Sequence, residues 1–290
     1  MTKEELLALT NKATAAVQPP PPAADSLQFY SLESAADAVH KLIVFGHSGT
    51  GKTYLLSGPI LCGERVLSLC TDFGGNGINT LRNLKPALPE GSLRGLDFSD
   101  YESFMGVLSN PQILWDKLGD WIPTILHWEG LSNFQLVNVD EYVLGKSANY
   151  RSDSDKISEL RTEGLWAEQT DWAGIKRATM RAQNKFLNIH HPTRRLHKVV
   201  SALESGKPVQ DKLTQQIRRA PLLQGAAESL LAPGYDLILE TFLEDNAFKY
   251  RCKPGGGVLA KNRGYDVPDV MDADPVLLWK RLQEGRSDAR

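Results

Sequence analysis

Cysteine is scarce: only Cys62, Cys70 and Cys252 occur in 290 residues. They have no paired metal spacing and Cys70 sits in an apolar run, so a disulfide framework and a zinc site are excluded and a reduced, cytoplasmic chain is expected. No run of about 18 apolar residues occurs, and no charged-then-apolar leader follows Met1, which speaks against membrane spans and secretion. An excess of one charge is also missing, because 33 Lys and Arg face 35 Asp and Glu for a formal net charge of -2. No global field draws this protein to nucleic acid or a lipid surface, so any basic surface must be local. Internal repeats are absent, and low complexity is confined to the prolines 19–22. What remains is 41% hydrophobic residues, enough at this length for a full core and one domain with appendages.

Residues 46 to 53 read Gly46-His47-Ser48-Gly49-Thr50-Gly51-Lys52-Thr53 and satisfy the phosphate-loop pattern of a glycine, four open positions, then Gly-Lys-Thr. The apolar run Leu42-Ile43-Val44-Phe45 precedes it and Tyr54-Leu55-Leu56 follows, giving strand, tight turn and helix start. Glycines let consecutive N–H groups turn inward around a phosphate, and the new helix adds unsatisfied donors and the positive end of its dipole. All eight residues are expected to bind ATP, with Lys52 on the β/γ-phosphates and Thr53 holding Mg²⁺.

Upstream, Thr2-Lys3-Glu4-Glu5 resembles a capping box, and Leu6, Leu9, Ala13 and Val17 share a helical stripe. Residues 1–37 are therefore expected to form a helix and a proline-rich linker, either a frayed terminus or a tether to a neighbouring subunit. Residues 38–290 form the expected nucleotide-binding domain. From Lys41 strands and helices alternate in α/β rhythm. Strands are expected at 42–45, 65–70, 95–98, 134–141, 198–203 and 236–242, and helices from 52, over 101–121, 170–189 and 275–284. A terminal hairpin is expected from 248–252 and 258–261 around Gly255-Gly256-Gly257.

The run Phe134-Gln135-Leu136-Val137-Asn138-Val139-Asp140-Glu141 ends in two acids. An aspartate at the tip of such a strand partners Mg²⁺ in phosphate-loop enzymes, so Asp140 is the expected metal residue with Thr53. Asn138 departs from an apolar buried strand. Glu141 and Asp72, in Leu69-Cys70-Thr71-Asp72-Phe73-Gly74-Gly75, are alternative bases for the attacking water, Glu141 favoured by its longer reach. Residues 190–198 concentrate bases without zinc-type spacing and read as a solvated helix end or a phosphate contact. Residues 145–168, with Tyr150 and Trp166, and 206–219, with Lys207, Lys212, Arg218 and Arg219, mix cations, aromatics and polar residues as plain surface or as single-strand contacts.

Taken in order, Lys41 to Thr53, Val66 to Gly75, the 134–141 run, Gln169-Thr170-Asp171-Trp172-Ala173-Gly174-Ile175-Lys176-Arg177, Pro221-Leu222-Leu223-Gln224-Gly225-Ala226-Ala227-Glu228 and Lys261-Asn262-Arg263 resemble the phage-type RecA-like AAA ATPases, which include single-strand annealing recombinases. The resemblance spans roughly residues 38–265. It implies a RecA-like α/β fold: a mostly parallel central sheet flanked by helices, with a C-terminal β-hairpin. It also implies an ATP- and Mg²⁺-dependent hydrolase acting on single-stranded DNA in phage recombination or replication, in the host cytoplasm. The implied partners are further copies in a homo-oligomer and a single-strand DNA-binding protein, with no membrane. In that family an acid, usually glutamate, ends the second strand, matched by Asp72, and a serine more often stands where Glu141 is. Lys261 and Arg263 resemble a cationic finger supplied across a subunit boundary. A nucleotide-dependent assembly protein that never touches DNA is the alternative.

Overall fold

Short, almost wholly apolar runs become the inner strands, because a strand covered on both faces has no solvated side to alternate with. The computed structural model describes residues 39–72, 79, 81, 88–139, 142–143, 169–206, 209–210, 217–223, 231–255 and 257–284. The N-terminal helix and linker expected over 1–37 lie outside them.

In chain order, β1 (Lys41–Gly46) leads through a tight 3₁₀ turn (Thr53–Leu56) into α1 (Ser57–Leu61) and then β2 (Val66–Cys70) and β3 (Leu93–Asp97). Next come α2 (Tyr101–Ser109), α3 (Gln112–Leu118), β4 (Ile125–Glu129) and a short α4 (Leu131–Asn133) that widens into a π turn over Phe134–Val139. The long α5 (Gln169–Leu187), β5 (His197–Leu203) and the ribbon of β6 (Val209–Gln210) and β7 (Ile217–Arg218) follow. The chain closes with β8 (Leu237–Glu244), β9 (Ala247–Arg251), β10 (Lys261–Asn262), β11 (Val270–Asp272) and α6 (Pro275–Glu284).

Among the described residues the main sheet runs β11-β9-β8-β1-β5-β4-β2-β3, with β10 also on β8. The six strands from β8 to β3 are parallel, and β9 and β10 pair antiparallel with β8. The register sets Ile43 beside Val200 on one side and Ile238 on the other. Ile43, Phe45, Leu126 and Trp128 pack one face against Phe104 of α2 and Phe186 of α5. Leu42, Val44, Val199 and Leu239 pack the other against Leu56, Ile60 and Trp279 of the α1 and α6 layer. The fold is thus α/β, with a mostly parallel central sheet between helices.

Three sequence expectations are corrected. The helix expected over 101–121 is two, because Asn110 before Pro111 takes an extended φ of -134°. The strand expected over 134–141 is helical through Val139. Phe134, Gln135, Asn138 and Val139 are all buried, a spacing of one helix face rather than of a strand. Asn138 is satisfied there, donating to the Ser99 carbonyl at 2.8 Å. The C-terminal hairpin is β8–β9, turning at Asp245 and Asn246, whose φ values of 52° and 61° suit a two-residue turn. Residues 261–262 instead pair with the start of β8.

Candidate active site

At the end of β1 the chain enters the phosphate loop, where Gly49 and Gly51 take φ of 79° and 89°, a region that suits glycine. Strand β8 presses on the loop: a Cβ at Gly46 would lie 2.3 Å from the Thr241 carbonyl oxygen. Thr50 fastens the turn, its hydroxyl donating to the His47 carbonyl at 2.8 Å and meeting Thr241 Oγ1 at 2.7 Å. Lys52 curls back over the loop, Nζ donating to the carbonyls of Gly46 at 3.0 Å and His47 at 2.7 Å. Burial lowers its pKa, opposed by the carboxylates of Glu129, Asp72 and Glu204.

The acids reach the same place because β1, β5, β4 and β2 are consecutive parallel neighbours, so residues at their carboxyl ends share one crevice. Glu129 is the last residue of β4 and accepts from Thr53 Oγ1 at 3.2 and 3.3 Å. Burial, and then the charge of Asp72, push its pKa up to about 7. Asp72, two residues past β2, is raised by burial and held by Asn133, whose Nδ2 donates to Oδ1 at 2.5 Å. Gly130 makes room for it: a Cβ there would sit 2.3 Å from Asp72 Oδ1. Beneath, His127 Nε2 lies 3.4 Å from Glu129 Oε2 and Nδ1 meets Ser68 Oγ at 2.9 Å. Burial drives that imidazole down to about 3, so it is neutral and cancels no carboxylate charge. Glu204, just past β5, donates its backbone N–H to Gly46 and faces His47 at 3.6 Å.

Lys52, Thr53, Asp72 and Glu129 line one cleft of about 730 Å³. Its far wall is the β8–β9 hairpin, which offers Phe248, 46% exposed, across from the loop. An aromatic face on the same cleft as a phosphate cradle suits a nucleobase. The oxygen donors of Thr53 and Glu129, with Asp72 alongside, suit a hard divalent cation such as Mg²⁺. Among the described residues no three His, Cys, Asp or Glu side chains converge as a metal cage.

Of the residues singled out in the sequence, Gly46 through Thr53 and Asp72 come together. Asp140 and Glu141 lie outside the described residues, as do Tyr150, Trp166, Lys207 and Lys212. The strand that faces Thr53 ends in Glu129, which sequence reasoning missed. Its signal was Ile125-Leu126-His127-Trp128-Glu129 between Pro123 and Gly130, a run of strand length framed by breakers.

Lys261 and Arg263 sit at the opposite end of the sheet. Lys261 pairs with Ile238, which aligns with Ile43 near the start of β1, so three residues of strand, roughly 10 Å along its axis, separate Lys261 from the level of Gly46. The Lys261 ammonium donates to the carbonyls of Tyr235, at 2.6 Å, and Ala232. Arg263 is exposed. Neither reaches its own chain's phosphate loop. Arg219, expected as a loop cation, is an internal partner: with Arg251 it brackets the buried Glu240, at 2.9 and 3.1 Å. In the basic segment His197 stacks on His40 with centroids 4.6 Å apart, and Lys198 is buried.

No protein-family model matches the chain, and no curated protein matches it. Among solved structures it is similar to the RadB recombinase, at 14% identity and a TM-score of 0.41 over 82% of this chain and 88% of that one. No helix among the described residues is long and apolar enough to cross a membrane.

Proposed function

We propose that this chain is a RecA-like, Mg²⁺-dependent ATPase. The observation that carries the reading is the convergence of Lys52, Thr53, Asp72 and Glu129 on one cleft at the carboxyl edge of a parallel sheet. Lys52 would leave its two loop carbonyls to sit on the β/γ-phosphates, where negative charge develops. Thr53 and Glu129 would hold Mg²⁺, which supplies charge neutralisation when bound. Asp72 orients a water whose oxygen attacks the γ-phosphorus; its proton passes to Asp72 and the bond to the β-phosphate oxygen breaks. Phe248 stacks the adenine.

The ordered motif resemblance supports single-stranded DNA as the second substrate, contacted through residues 206–219 and 145–168, in a homo-oligomer that serves recombination or replication of phage DNA. Arg263, exposed at the amino edge, is the cation of the Lys261 and Arg263 pair available to a neighbouring copy's phosphates. The assembly-ATPase alternative gains from one observation, the engagement of Arg219 by Glu240, and is separated by DNA stimulation of hydrolysis. The deciding variant is Lys52→Ala: turnover should vanish while circular dichroism stays native, and near-normal turnover would sink the assignment.

A further inference from the structure

Helix α5 carries a line of cations that the nucleotide cleft does not use. Arg177, Arg181 and Lys185 recur every four residues, and Asn184 and Asn188 follow Arg177 and Arg181 by seven, which closes two turns on one side of the helix. From Arg177 to Asn188 the line runs about 16 Å along the axis. The opposite side, with Ile175, Thr179, Ala182 and Phe186, is buried. All five polar residues line one groove of about 600 Å³, whose second wall includes Leu108 and Pro111, at the end of α2 and the start of α3. Among the described residues no carboxylate pairs with any of the three cations.

Like charges four residues apart on a helix repel, so this line is a cost to the unliganded chain that an anionic ligand would relieve. Its geometry selects the ligand. A single phosphate or small metabolite calls for cations that converge, whereas these are strung one turn apart and match a ligand with regularly repeated negative charge. Guanidinium forks and amide N–H groups are the donors that phosphodiester oxygens accept from. The apolar wall beside them suits unstacked bases, which a duplex keeps inside. We infer that the α5 groove is a binding track for the backbone of a single nucleic-acid strand, separate from the nucleotide cleft. The inference rests on the single-strand reading above but puts the contact on a regular helix rather than on loops.

The test is the full chain carrying Arg177→Gln, Arg181→Gln and Lys185→Gln together, titrated against a fluorescent oligothymidylate at several salt concentrations. Three contacts at about 0.7 each should lower the log–log salt slope by about two and weaken binding at least tenfold at low salt. ATP hydrolysis without DNA should stay at the wild-type level, showing that the fold survives. Unchanged affinity and slope in a variant whose wild type binds the strand would overturn the track and leave the loop reading standing. Wild type that binds no strand at any salt would overturn both. Polyglutamate of matching length that displaces the strand equally well would assign the groove to an acidic protein segment and overturn the inference.

Discussion

At the carboxyl ends of β5, β4 and β2 the sheet places acids, Glu204, Glu129 and Asp72, whereas at the amino ends of β1, β5 and β8 it places bases, the His40–His197 pair, Lys198 and Lys261. Burial moves members of each set toward neutrality: Glu129 up to about 7 with Asp72 also raised, and Lys198 down to about 7 with Lys261 also lowered. The size of the shift therefore does not tell function from scaffold. The partners do. Lys198 Nζ donates to the Leu196 carbonyl at 2.8 Å, Lys261 to two carbonyls, and His40 Nδ1 meets the Tyr265 hydroxyl at 2.9 Å, so the amino end is closed by its own chain. Glu129 has the Thr53 and Ser201 hydroxyls, a neutral histidine and the charge of Lys52, a cation that the proposed phosphates would draw off, with a second carboxyl beside it. A cation from outside would complete it.

The largest effect that tests this contrast is at Glu129. Glu129→Gln removes the charge but keeps the shape, so hydrolysis should fall by roughly a thousandfold, the range for losing one preorganised electrostatic partner. The nucleotide-free protein should melt no lower than wild type, because a buried titrating carboxyl is gone. Retained turnover with a lowered melting temperature would show that Glu129 is scaffold.

Next is the base. Asp72→Asn should cost on the order of a hundredfold in turnover with ATP affinity kept, the usual size of a general-base contribution. Asn133→Ala, which frees Asp72 Oδ1, should change kcat more than KM. If Glu141→Gln is the slower variant and Asp72→Asn turns over normally, the roles are exchanged.

How far the sequence reaches divides along the same line. The phosphate loop, β2, α5, β5 and α6 were legible because period and punctuation agreed with the final packing, as in the 275–284 helix. The strand ending in Glu129 was not, because His127 and Glu129 interrupt its apolar run and the Phe134–Asp140 stretch imitates a strand more strongly. Tertiary burial of Gln135 and Asn138, against Thr179 Oγ1 and the Ser99 carbonyl, favours the helical form of residues 134–139. The duties of Lys261 and Arg219 were equally hidden, since carbonyls and acids that engage a cation from 20 or more residues away leave no local pattern.

A smaller effect is pH dependence. Glu129 and Asp72 both have folded-state pKa values raised above their unfolded ones; the contribution of Glu129 to stability is present below about pH 4 and is lost as pH rises through about 7, and that of Asp72 is lost in the same direction. Mg²⁺ competes with those protons. The affinity for Mg²⁺ with ADP should therefore rise by about tenfold between pH 6 and pH 8, and calorimetry should detect proton release on binding. Glu129→Gln should flatten the profile. A flat profile in wild type would mean that Glu129 is ionised at pH 6 and its burial is already compensated.

The smallest effect is expected at the amino edge. Lys261→Met keeps the aliphatic stem and removes the donor to Ala232 and Tyr235, so the loss should be about 1–3 kcal/mol of stability, with turnover per folded molecule within about twofold of wild type. Arg263→Ala should leave melting unchanged, because the side chain is exposed. Its role, if a neighbouring copy takes it up, emerges only in mixtures: Arg263→Ala with Lys52→Ala should recover some hydrolysis, each chain supplying the half-site that the other lacks. No recovery at any ratio, with mixed oligomers shown by mass, would confine catalysis to the carboxyl edge of one chain. Lys261→Met that melts normally yet hydrolyses nothing would break the comparison from the other side, making the amino edge a working surface rather than a closed one.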